Sequence, residues 1–497
     1  MNIYLLTLIG YSFLLIAVGL FAARKVKNAS DFLVAGRRFG PGVIFATFLA
    51  ANIGAGSTVG ASGLGYRFGL SAWWWVGSAG LGTIVLSQLI GPRLWRMAKA
   101  HGMHTMGDYL ELRYHKSVRG VIAAILWFGT LAILAGQLMA ISWILNVVAG
   151  LPKWVGCLAG GIVAITYCTA GGLASSAIVN ILELAVTMPG LVVSALYSLH
   201  ALGGWSGLDA ALVRQMGASA PHWTTFTGAG SKQIFAYVSI LVPSFICSPG
   251  LAQKLYGARD AKAVRWGVGL NSIGQLCFAV VPAIFGMVAL AHFAHLGNPE
   301  LALPTVLVKL VPPWLGLWSL ASIFSAELSA TDAILFMLST SLAVDLYKAF
   351  IYPDVPQKKL LAVSRLTTVV AGLAGVGLAI ALPSVISAVS IFYGLLAVAL
   401  FIPFVLGLYW SRMSTPAALA SIFTAILADL IVQYGTPSHG IGLLSPASVG
   451  ILVGLVAAIV VSWAAPHVRV LPANATMDER AVEGTKVLRQ DIGEIQN

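Results

Sequence analysis

Long apolar stretches recur along this chain, and they constrain its fold more than any other feature. About a dozen of them reach the roughly 20 residues that a helix needs to cross a bilayer. Of the 497 residues, 58% are hydrophobic and only 9% are charged, whereas roughly a quarter are charged in a soluble domain. The sequence therefore excludes a water-soluble globule and predicts an all-α polytopic membrane protein. The predicted spans, thirteen in number, lie near 3–23, 42–64, 70–90, 118–149, 153–172, 174–200, 233–253, 267–293, 314–342, 362–382, 387–410, 414–434 and 446–465.

Basic residues are distributed unevenly between the two sides that alternating spans create. The chain has 29 Lys and Arg against 17 Asp and Glu, a formal net charge of +12, which in a soluble chain is typical of nucleic-acid binding. With the N-terminus outside, however, 24 basic residues fall on the inner side and five on the outer side. Because basic loops stay cytoplasmic, we predict an extracellular N-terminus, a cytoplasmic C-terminus and a multi-pass protein of the plasma (inner) membrane. Its surroundings are then the lipid bilayer, and no nucleic acid is expected as a partner.

Two spans contain interruptions that a lipid-facing helix does not need. The second reads ATFLAANIGAGSTVGASGLGY and the seventh reads VPSFICSPGLAQKLYG, although Gly and Pro also occur where membrane helices pack closely. Five spans separate their starting points, and an odd number reverses orientation. Spans 2–6 and 7–11 are therefore expected to form an inverted pair whose first helices are both broken. A broken helix leaves backbone carbonyls and amides outside its own ladder, where they can hold ions or polar solutes.

The loops predict no appended soluble domain. The segment 103–116, MHTMGDYLELRYHK, is too polar to span and is expected to be an interfacial helix on the cytoplasmic face. The predicted organisation is an N-terminal span and cytoplasmic loop (1–41), a first inverted repeat (42–200), an extracellular loop (201–232), a second inverted repeat (233–410), two C-terminal spans (411–465) and a cytoplasmic tail (466–497).

Four acidic residues fall inside predicted spans: Glu183, Glu327, Asp332 and Asp429. An acid inside a bilayer costs at least a few kcal/mol, so each is a hypothesis about an ion or proton pathway. On the ninth span, Ser325, Ser329 and Asp332 follow four- and three-residue steps and share one helical face. Their oxygens suit a hard monovalent cation. The structural alternative is that the serines bond back to their own helix and that Asp332 pairs with another polar span; for Asp429, in a peripheral span, a structural role is expected.

With these residues the chain resembles the sodium:solute symporter family. The resemblance runs through almost the whole chain and implies thirteen spans, an extracellular N-terminus and the five-plus-five inverted repeat of amino-acid transporters, a LeuT-like fold. The motifs indicate the family and not the substrate. They are DFLVAGRRFGPG (31–42), AANIGAGSTVGASGLGY (50–66), TMGDYLELRY (105–114), YCTAGGLASSAIVNILE (167–183) and the ninth span ending in DLYK (345–348).

The resemblance also implies a cation site between the broken second span and the ninth span. The family builds its main sodium site from backbone carbonyls of the second span and from a carbonyl and hydroxyls of the ninth. At the last of these positions relatives usually have Ser or Thr, so the alanine found here removes one hydroxyl ligand. The matching positions are Ala50, Ile53, Ala326, Ser329 and Ala330.

A second departure concerns a carboxylate. Seven residues after the Leu of GGL the family normally has an Asp in the sixth span, whereas this chain has Asn180; Asp332 stands at a ninth-span Ser position that forms part of a second cation site in some relatives. We therefore hypothesise that Asn180 and Asp332 keep this cation site with its carboxylate moved to the other helix. Glu183 replaces a Gln often seen in relatives and Glu327 lies beside the main site, so proton coupling remains an alternative, because burial raises a carboxyl pKa.

The resemblance places the solute at the midplane, near the two broken spans. Trp74 belongs to a Trp triplet for which an aromatic belt at the membrane interface is the ordinary explanation, and Tyr393 is either an inner gate or simply packing. No Arg or Lys is expected in the solute region, which argues mildly against an anionic solute, although free helix amides can hold a carboxylate. The substrate candidates are Asn52, Ser57, Trp74, Gln137, Ser244, Ser248 and Gln253.

The sequence thus predicts a secondary transporter in which Na+ drives uptake of a small polar organic solute by alternating access. No cofactor is expected, and a proton-driven symporter of the same fold is the nearest alternative. A membrane enzyme is a weaker alternative, because the His and acidic residues of 101–115 match no metal motif. A transport-like sensor is weaker still, since the tail is too short for an output domain.

Overall fold

The computed structural model describes residues 3–23, 37–437 and 440–464; within these ranges the side chains of residues 15, 16, 18–23, 167–180, 182, 218 and 329 are not described. Almost all of the described chain is helical. The helices are α1 (Ile3–Ala23), α2 (Pro41–Asn52), α3 (Ala61–Phe68), α4 (Trp73–Val85), α5 (Gly91–Ala100), α6 (Met106–Arg113), α7 (Lys116–Ala149), α8 (Lys153–Ala201), α9 (Gly204–Met216), α10 (Ser231–Cys247), α11 (Pro249–Tyr256), α12 (Ala261–Phe278), α13 (Val280–His292), α14 (Ala302–Lys309), α15 (Pro313–Thr340), α16 (Gln357–Ala381), α17 (Val385–Leu395), α18 (Phe401–Tyr409), α19 (Thr415–Gly435) and α20 (Pro446–Ala464). Short π-helical segments at Gly56–Gly60, Leu86–Ile90, Ser341–Ile351 and Leu396–Leu400 join several of them.

Membrane-spanning helices dominate the fold, as the apolar stretches predict. Within the described residues, nine helices are long and apolar enough to cross a bilayer, and a bent pair raises the number to ten. Two shorter apolar helices, Ile3–Leu14 and Lys153–Thr166, lie beside residues whose side chains are not described. The all-helical polytopic class is confirmed, and the total of thirteen spans stays a prediction.

The sixth predicted span is joined to the fifth in a single helical stretch. Lys153–Ala201 is helical over 49 residues, roughly 73 Å at 1.5 Å per residue, which is more than twice the roughly 30 Å of a hydrocarbon core. This is longer than one crossing needs, and the number of crossings that it makes stays a prediction. The side chains of 167–180 lie in the middle of this stretch, outside the described set.

Helix starts follow local sequence signals. Proline occupies an early position of α2, α11 and α15, where its missing N–H costs nothing. Thr105 caps α6 in a reciprocal capping box with Asp108, and Asp260 and Ser384 cap α12 and α17 with side-chain oxygens.

Helices cross closely where glycines permit it. A Cβ on Gly286 of α13 would lie 2.3 Å from the carbonyl oxygen of Ser62, and one on Gly65 of α3 would lie 2.9 Å from Ala283. Neither position accepts a larger side chain without displacing backbone. This small-residue contact fixes α3, the outer part of the broken second span in the predicted orientation, against α13.

The segment 103–116 forms a short helix, α6, and the start of α7. Residues Met106, Gly107, Tyr109, Leu110 and Arg113 are buried, so α6 packs onto the helix bundle with one face. Arg113 donates to the backbone carbonyls of Gly407, Trp410 and Ser411, at the end of α18. The predicted interfacial segment is thus a fixed part of the fold.

Candidate cation and solute site

The second span is broken at residues 53–55, where the chain turns by 64° between α2 and the helical run that begins at Gly56. Three backbone donors near the break are redirected. The N–H of Gly54 donates to the hydroxyl of Ser57 (2.9 Å), and the N–H of Ala55 donates to Oε1 of Gln137 (2.7 Å). The N–H of Ser57 donates to the carbonyl of Gly54 (2.9 Å).

The redirected donors are those that an intact α-helix would supply to the carbonyls four residues earlier. In such a helix, Gly54 would serve the carbonyl of Ala50, Ala55 that of Ala51, and Ser57 that of Ile53. The carbonyls of Ala50 and Ile53, which the sequence predicts as cation ligands, are therefore released from the helical ladder. Ala50 and Ile53 are also buried, with 4% and 1% of their surface exposed.

The break lies directly against α15. A Cβ on Gly54 would be 2.5 Å from the Cβ of Ala330 and 2.8 Å from Oε1 of Gln137, so only glycine permits this approach. Thr58, one turn further on, donates from its hydroxyl to Oε1 of Glu327 (2.6 Å) and to the carbonyl of Gly54 (2.9 Å). Glu327 and Ala330 thus form the part of α15 that meets the broken helix.

A different stripe of α15 carries the hydroxyl groups. Ser325 accepts a hydrogen bond from the hydroxyl of Tyr11 on α1 (2.9 Å), and Ser322 donates to the carbonyl of Val186 on α8 (3.0 Å). Ala330 lies five residues after Ser325, about 140° around the helix. The Ser322 and Ser325 stripe therefore faces α1 and α8, while the Ala330 stripe faces the break.

Asp332 belongs with the Ser325 stripe, being seven residues further along α15. It is 7% exposed, so its carboxylate is inside the protein and not among lipid tails. Glu183 on α8 is 1% exposed. The side chains of Ser329 and Asn180, both predicted cation ligands, lie outside the described residues.

The seventh span is broken at Ser248, between α10 and α11. Ser248 has an extended ψ of 122°, and the following Pro249 has no N–H to offer the carbonyl of Phe245. Both predicted interruptions are therefore present as breaks, in corresponding helices of the two halves.

A cavity of about 800 Å³ lies between the two breaks and α15. Four of the predicted substrate candidates line it, namely Asn52, Ser57, Gln137 and Ser248, together with Tyr393. The Tyr393 ring contacts those of Phe245 and Trp75, with centroids 5.3 and 6.3 Å apart. Tyr393 therefore belongs to an aromatic wall of the cavity.

Three other substrate candidates contact other parts of the molecule. Trp74 donates from its indole N–H to the carbonyl of Phe226 (2.9 Å), while its neighbour Trp75 lines the cavity. The Ser244 hydroxyl donates to the carbonyls of Ile240 and Tyr393. Gln253 donates to the hydroxyl of Thr340 (2.8 Å) and lines a second cavity of about 450 Å³.

Lys254 is the residue whose position sequence reasoning got wrong. It was expected in the cytoplasmic loop, and no basic residue was expected near the solute. In the structure α11 continues to Tyr256, and Lys254 is 3% exposed and lines the 800 Å³ cavity. A hydropathy pattern ends a span at the first charge because charge in lipid is costly, but this charge faces a protein cavity. The available signal was Pro249, which can begin a helix, followed by apolar residues at helical spacing that continue past Lys254.

A buried carboxylate connects a loop to the start of α17. Glu300 is 4% exposed; its Oε1 accepts from the backbone N–H of Val385 (2.8 Å) and its Oε2 from the indole of Trp143 (3.1 Å). Burial raises the pKa of Glu300, and these hydrogen bonds oppose the shift. Glu300 therefore ties the helix that carries Tyr393 to α7.

An ion-pair cluster joins α6, α7 and the segment Ser341–Ile351. Arg119 lies 2.7 Å from Asp345, 2.7 Å from Glu111 and 3.1 Å from Asp108. The Thr105 hydroxyl also donates to Asp345 (2.6 Å). This cluster lies at the end of the molecule that the charge distribution assigns to the cytoplasm.

Comparison with known proteins decides the family. A model described as the sodium:solute symporter family matches residues 32–425. The chain belongs to the sodium:solute symporter family. It is 28% identical over 468 residues to the sodium/pantothenate symporter of Escherichia coli (strain K12), covering 86% of this chain and 91% of that protein. It is 22% identical over 472 residues to the sodium/glucose cotransporter of Vibrio parahaemolyticus, covering 85% and 84%.

Two solved transporter structures have the same fold as this chain. The substrate-bound, outward-open structure of a Na+-coupled sialic acid symporter superimposes with a TM-score of 0.81 at 18% identity, covering 95% of this chain and 99% of that one. Mhp1, a nucleobase-cation-symport-1 family transporter, superimposes with a TM-score of 0.56 at 15% identity, covering 91% and 98%. The LeuT-like fold is confirmed.

Membership in this family makes the protein a cation-coupled symporter of a small solute and a multi-pass plasma-membrane protein, not an enzyme. The polar cluster of 101–115, which prompted the enzyme alternative, has a structural explanation. Asp108 accepts from the N–H groups of His104 and Thr105, and His115 accepts from that of Ser117. These side chains cap helices.

Proposed function

We propose that this symporter uses an inward Na+ gradient to import a small polar organic solute, with Na+ bound between the break in the second span and α15. The released carbonyls of Ala50 and Ile53 carry this proposal, because they are oxygen ligands that no longer belong to a helical ladder. The carbonyl of Ala326, one turn before Ala330, and the hydroxyl of Ser329, which lies between the Ser325 and Ala330 stripes by helical geometry, would supply the remaining oxygens. Na+ prefers oxygen ligands and tolerates irregular geometry.

The alanine at 330 leaves this proposed site with one hydroxyl fewer than the family pattern. Ala330 contacts the break, so a hydroxyl at this position would lie close to the released carbonyls. We expect Na+ to be bound, but more weakly than by a site with both hydroxyls.

A second cation is proposed to bind between α8 and the Ser325 stripe, with Asp332 as its carboxylate and Asn180 as an amide ligand. The burial of Asp332 and the contacts of this stripe with α8 support the proposal. The relocated carboxylate would keep the net charge of the site.

The solute is proposed to occupy the 800 Å³ cavity, against Asn52, Ser57, Gln137 and Ser248, with Tyr393 as its gate. Cation binding beside the broken helix would then favour one of the two access states, since a ligand shifts an equilibrium only through its differential affinity. Gln137 links the two sites directly, because it lines the cavity and also accepts from Ala55 in the break.

Uptake into proteoliposomes tests the coupling ion. The purified protein is reconstituted, and uptake of labelled pantothenate, proline and glucose, the solutes named for relatives, is measured with an inward Na+ gradient at constant pH and with a pH gradient in Na+-free buffer. We expect accumulation only in the first condition. Accumulation driven by the pH gradient without Na+ would overturn sodium coupling.

A proton-coupled symporter is the second candidate, and Glu327 is the observation that favours it. Glu327 is 0% exposed, and its Oε2 accepts no hydrogen bond from the described residues, while Oε1 is bonded to Thr58. A buried carboxyl beside the cation site is a suitable proton carrier. Glu327→Gln distinguishes the two, because this substitution would abolish proton-driven uptake but leave a sodium-driven symporter dependent on Na+.

A further inference from the structure

Lys254 is the one charged side chain among the described residues that line the 800 Å³ cavity. The other lining groups are amides, hydroxyls, aromatic rings and aliphatic side chains. The ion pairs within the described residues are formed by Arg119 and Arg259, and none of them includes Lys254. Within the same described residues, its ammonium group also donates no hydrogen bond.

A buried ammonium group with no hydrogen-bonding partner is unfavourable, because it has lost its water without replacement. Lys254 is 3% exposed and lines the cavity. Such a group is retained where a ligand completes its environment. For an ammonium, the complementary ligand atom is an anionic oxygen.

The two acidic residues whose charges act on Lys254 are Asp332 and Glu183, both outside the cavity lining. Asp332 belongs to the stripe of α15 that faces α8. Both acids therefore act on Lys254 from outside the cavity lining. An anion in the cavity is attracted by Lys254 without meeting a carboxylate in the wall.

We propose that the cavity binds solutes that carry a carboxylate, and that this carboxylate pairs with Nζ of Lys254. The inference rests on the proposed function, since it takes the cavity to be the solute site. The rest of such a solute would contact the amides of Asn52 and Gln137 and the ring of Trp75. A neutral sugar offers Lys254 no charge and is disfavoured.

The proposal also connects cation and solute. A cation bound at Asp332 would neutralise the carboxylate that competes for Lys254, so the ammonium would attract a solute carboxylate more strongly. Sodium is therefore expected to raise the affinity for an organic anion, and the anion to raise the affinity for sodium by the same factor.

Thermal-shift measurements on the purified full-length protein in NaCl test the charge requirement with matched probes. Each probe is a carboxylate paired with its neutral amide: pantothenate and its amide, lactate and lactamide, and benzoate and benzamide. A ligand that binds the folded state raises the unfolding temperature. We expect stabilisation by at least one carboxylate and by none of the amides, with a weaker effect when NaCl is replaced by choline chloride.

Variants assign the effect to Lys254. Lys254→Gln should raise the Kd of the stabilising carboxylate by about ten- to a hundredfold, the range for loss of a hydrogen bond to a charged group. Lys254→Arg should retain binding, and Lys254→Met replaces Lys254→Gln if the latter does not fold. Lys262→Gln, at an exposed lysine beyond the cavity, is the matched control and should leave the Kd unchanged.

The outcomes separate the two proposals. Equal stabilisation by a carboxylate and its amide, or unchanged binding in Lys254→Gln, would overturn the anion proposal. Neither result would contradict the proposal that the cavity binds the solute. Stabilisation by an amide alone would do the same. No stabilisation by any member of the panel would count against both the cavity and its proposed charge preference.

Discussion

Residue 330, where this chain has Ala and relatives usually have Ser or Thr, lies against the break in the second span. Ala330 is 2% exposed and contacts Gly54 in the break, where the carbonyls of Ala50 and Ile53 are released. A methyl group there contributes packing but no oxygen. The proposed cation site would therefore depend more heavily on backbone carbonyls than a site with two hydroxyls does.

Restoring the hydroxyl tests whether this is the sodium site. We expect Ala330→Ser to lower the NaCl concentration for half-maximal thermal stabilisation by about three- to tenfold, since one added hydrogen-bonding oxygen contributes on the order of 1 kcal/mol. The measurement needs no solute. Ala321→Ser, at a buried alanine more than two turns away on α15, is the control; equal midpoints in both variants would remove residue 330 from the cation site.

Individual residues also show where sequence reasoning succeeds and fails. The break in the second span was predictable because its Gly-rich sequence and family motif both point to residues 50–66. Lys254 was not, because a hydropathy pattern cannot distinguish a charge facing a protein cavity from one facing the cytoplasm. Trp75 was likewise indistinguishable from Trp74, since adjacent residues on a helix differ only in the direction they face.

Among the helices, α6 is held by the most extensive charge network in the described chain. Arg119 bridges three carboxylates from α6 and the segment Ser341–Ile351, and Gly107 allows the approach, since a Cβ there would lie 2.3 Å from Oδ1 of Asp345. The sequence predicted an interfacial helix here. It did not predict the ion pair with Asp345 of the DLYK motif, because Arg119 and Asp345 are more than 200 residues apart in the chain. The cluster therefore ties α6 and α7 to the segment Ser341–Ile351.

Removing one charge of the cluster should weaken the attachment of α6 to the segment Ser341–Ile351. Asp345→Asn eliminates the 2.7 Å pair with Arg119 but leaves Asp108 and Glu111 in place, so we expect a loss of about 1–3 kcal/mol. The apparent unfolding temperature of the detergent-solubilised protein should fall accordingly. Asp354→Asn, which changes an exposed carboxylate nearby, should have no such effect; an equal decrease in both variants would show that the cluster contributes nothing specific.

For the protein as a whole, the fold class was predictable from the sequence because spans, breaks and basic loops each depend on local residue composition. It could not predict how α15 divides its faces, with Ala330 toward the break and Ser325 toward α1 and α8. That division depends on which helices surround α15, and hydrophobicity is uniform around a buried membrane helix. The residues of both proposed cation sites were expected from the sequence, but their separation onto two faces of α15 emerges only from the assembled bundle.

The orientation of the whole bundle follows from its charge and can be measured independently of transport. Even with Lys254 assigned to the cavity, most basic residues remain on the side of the 348–365 loop, which we predict to be cytoplasmic. Gly297, whose Cβ position is open within 4 Å, then lies outside, and exposed Asp354 lies inside. In a background with the four native cysteines replaced by alanine, Gly297→Cys should react with a membrane-impermeant maleimide in intact cells, and Asp354→Cys only after permeabilisation. The reverse pattern would contradict the predicted orientation and place the Arg119 cluster on the outer side.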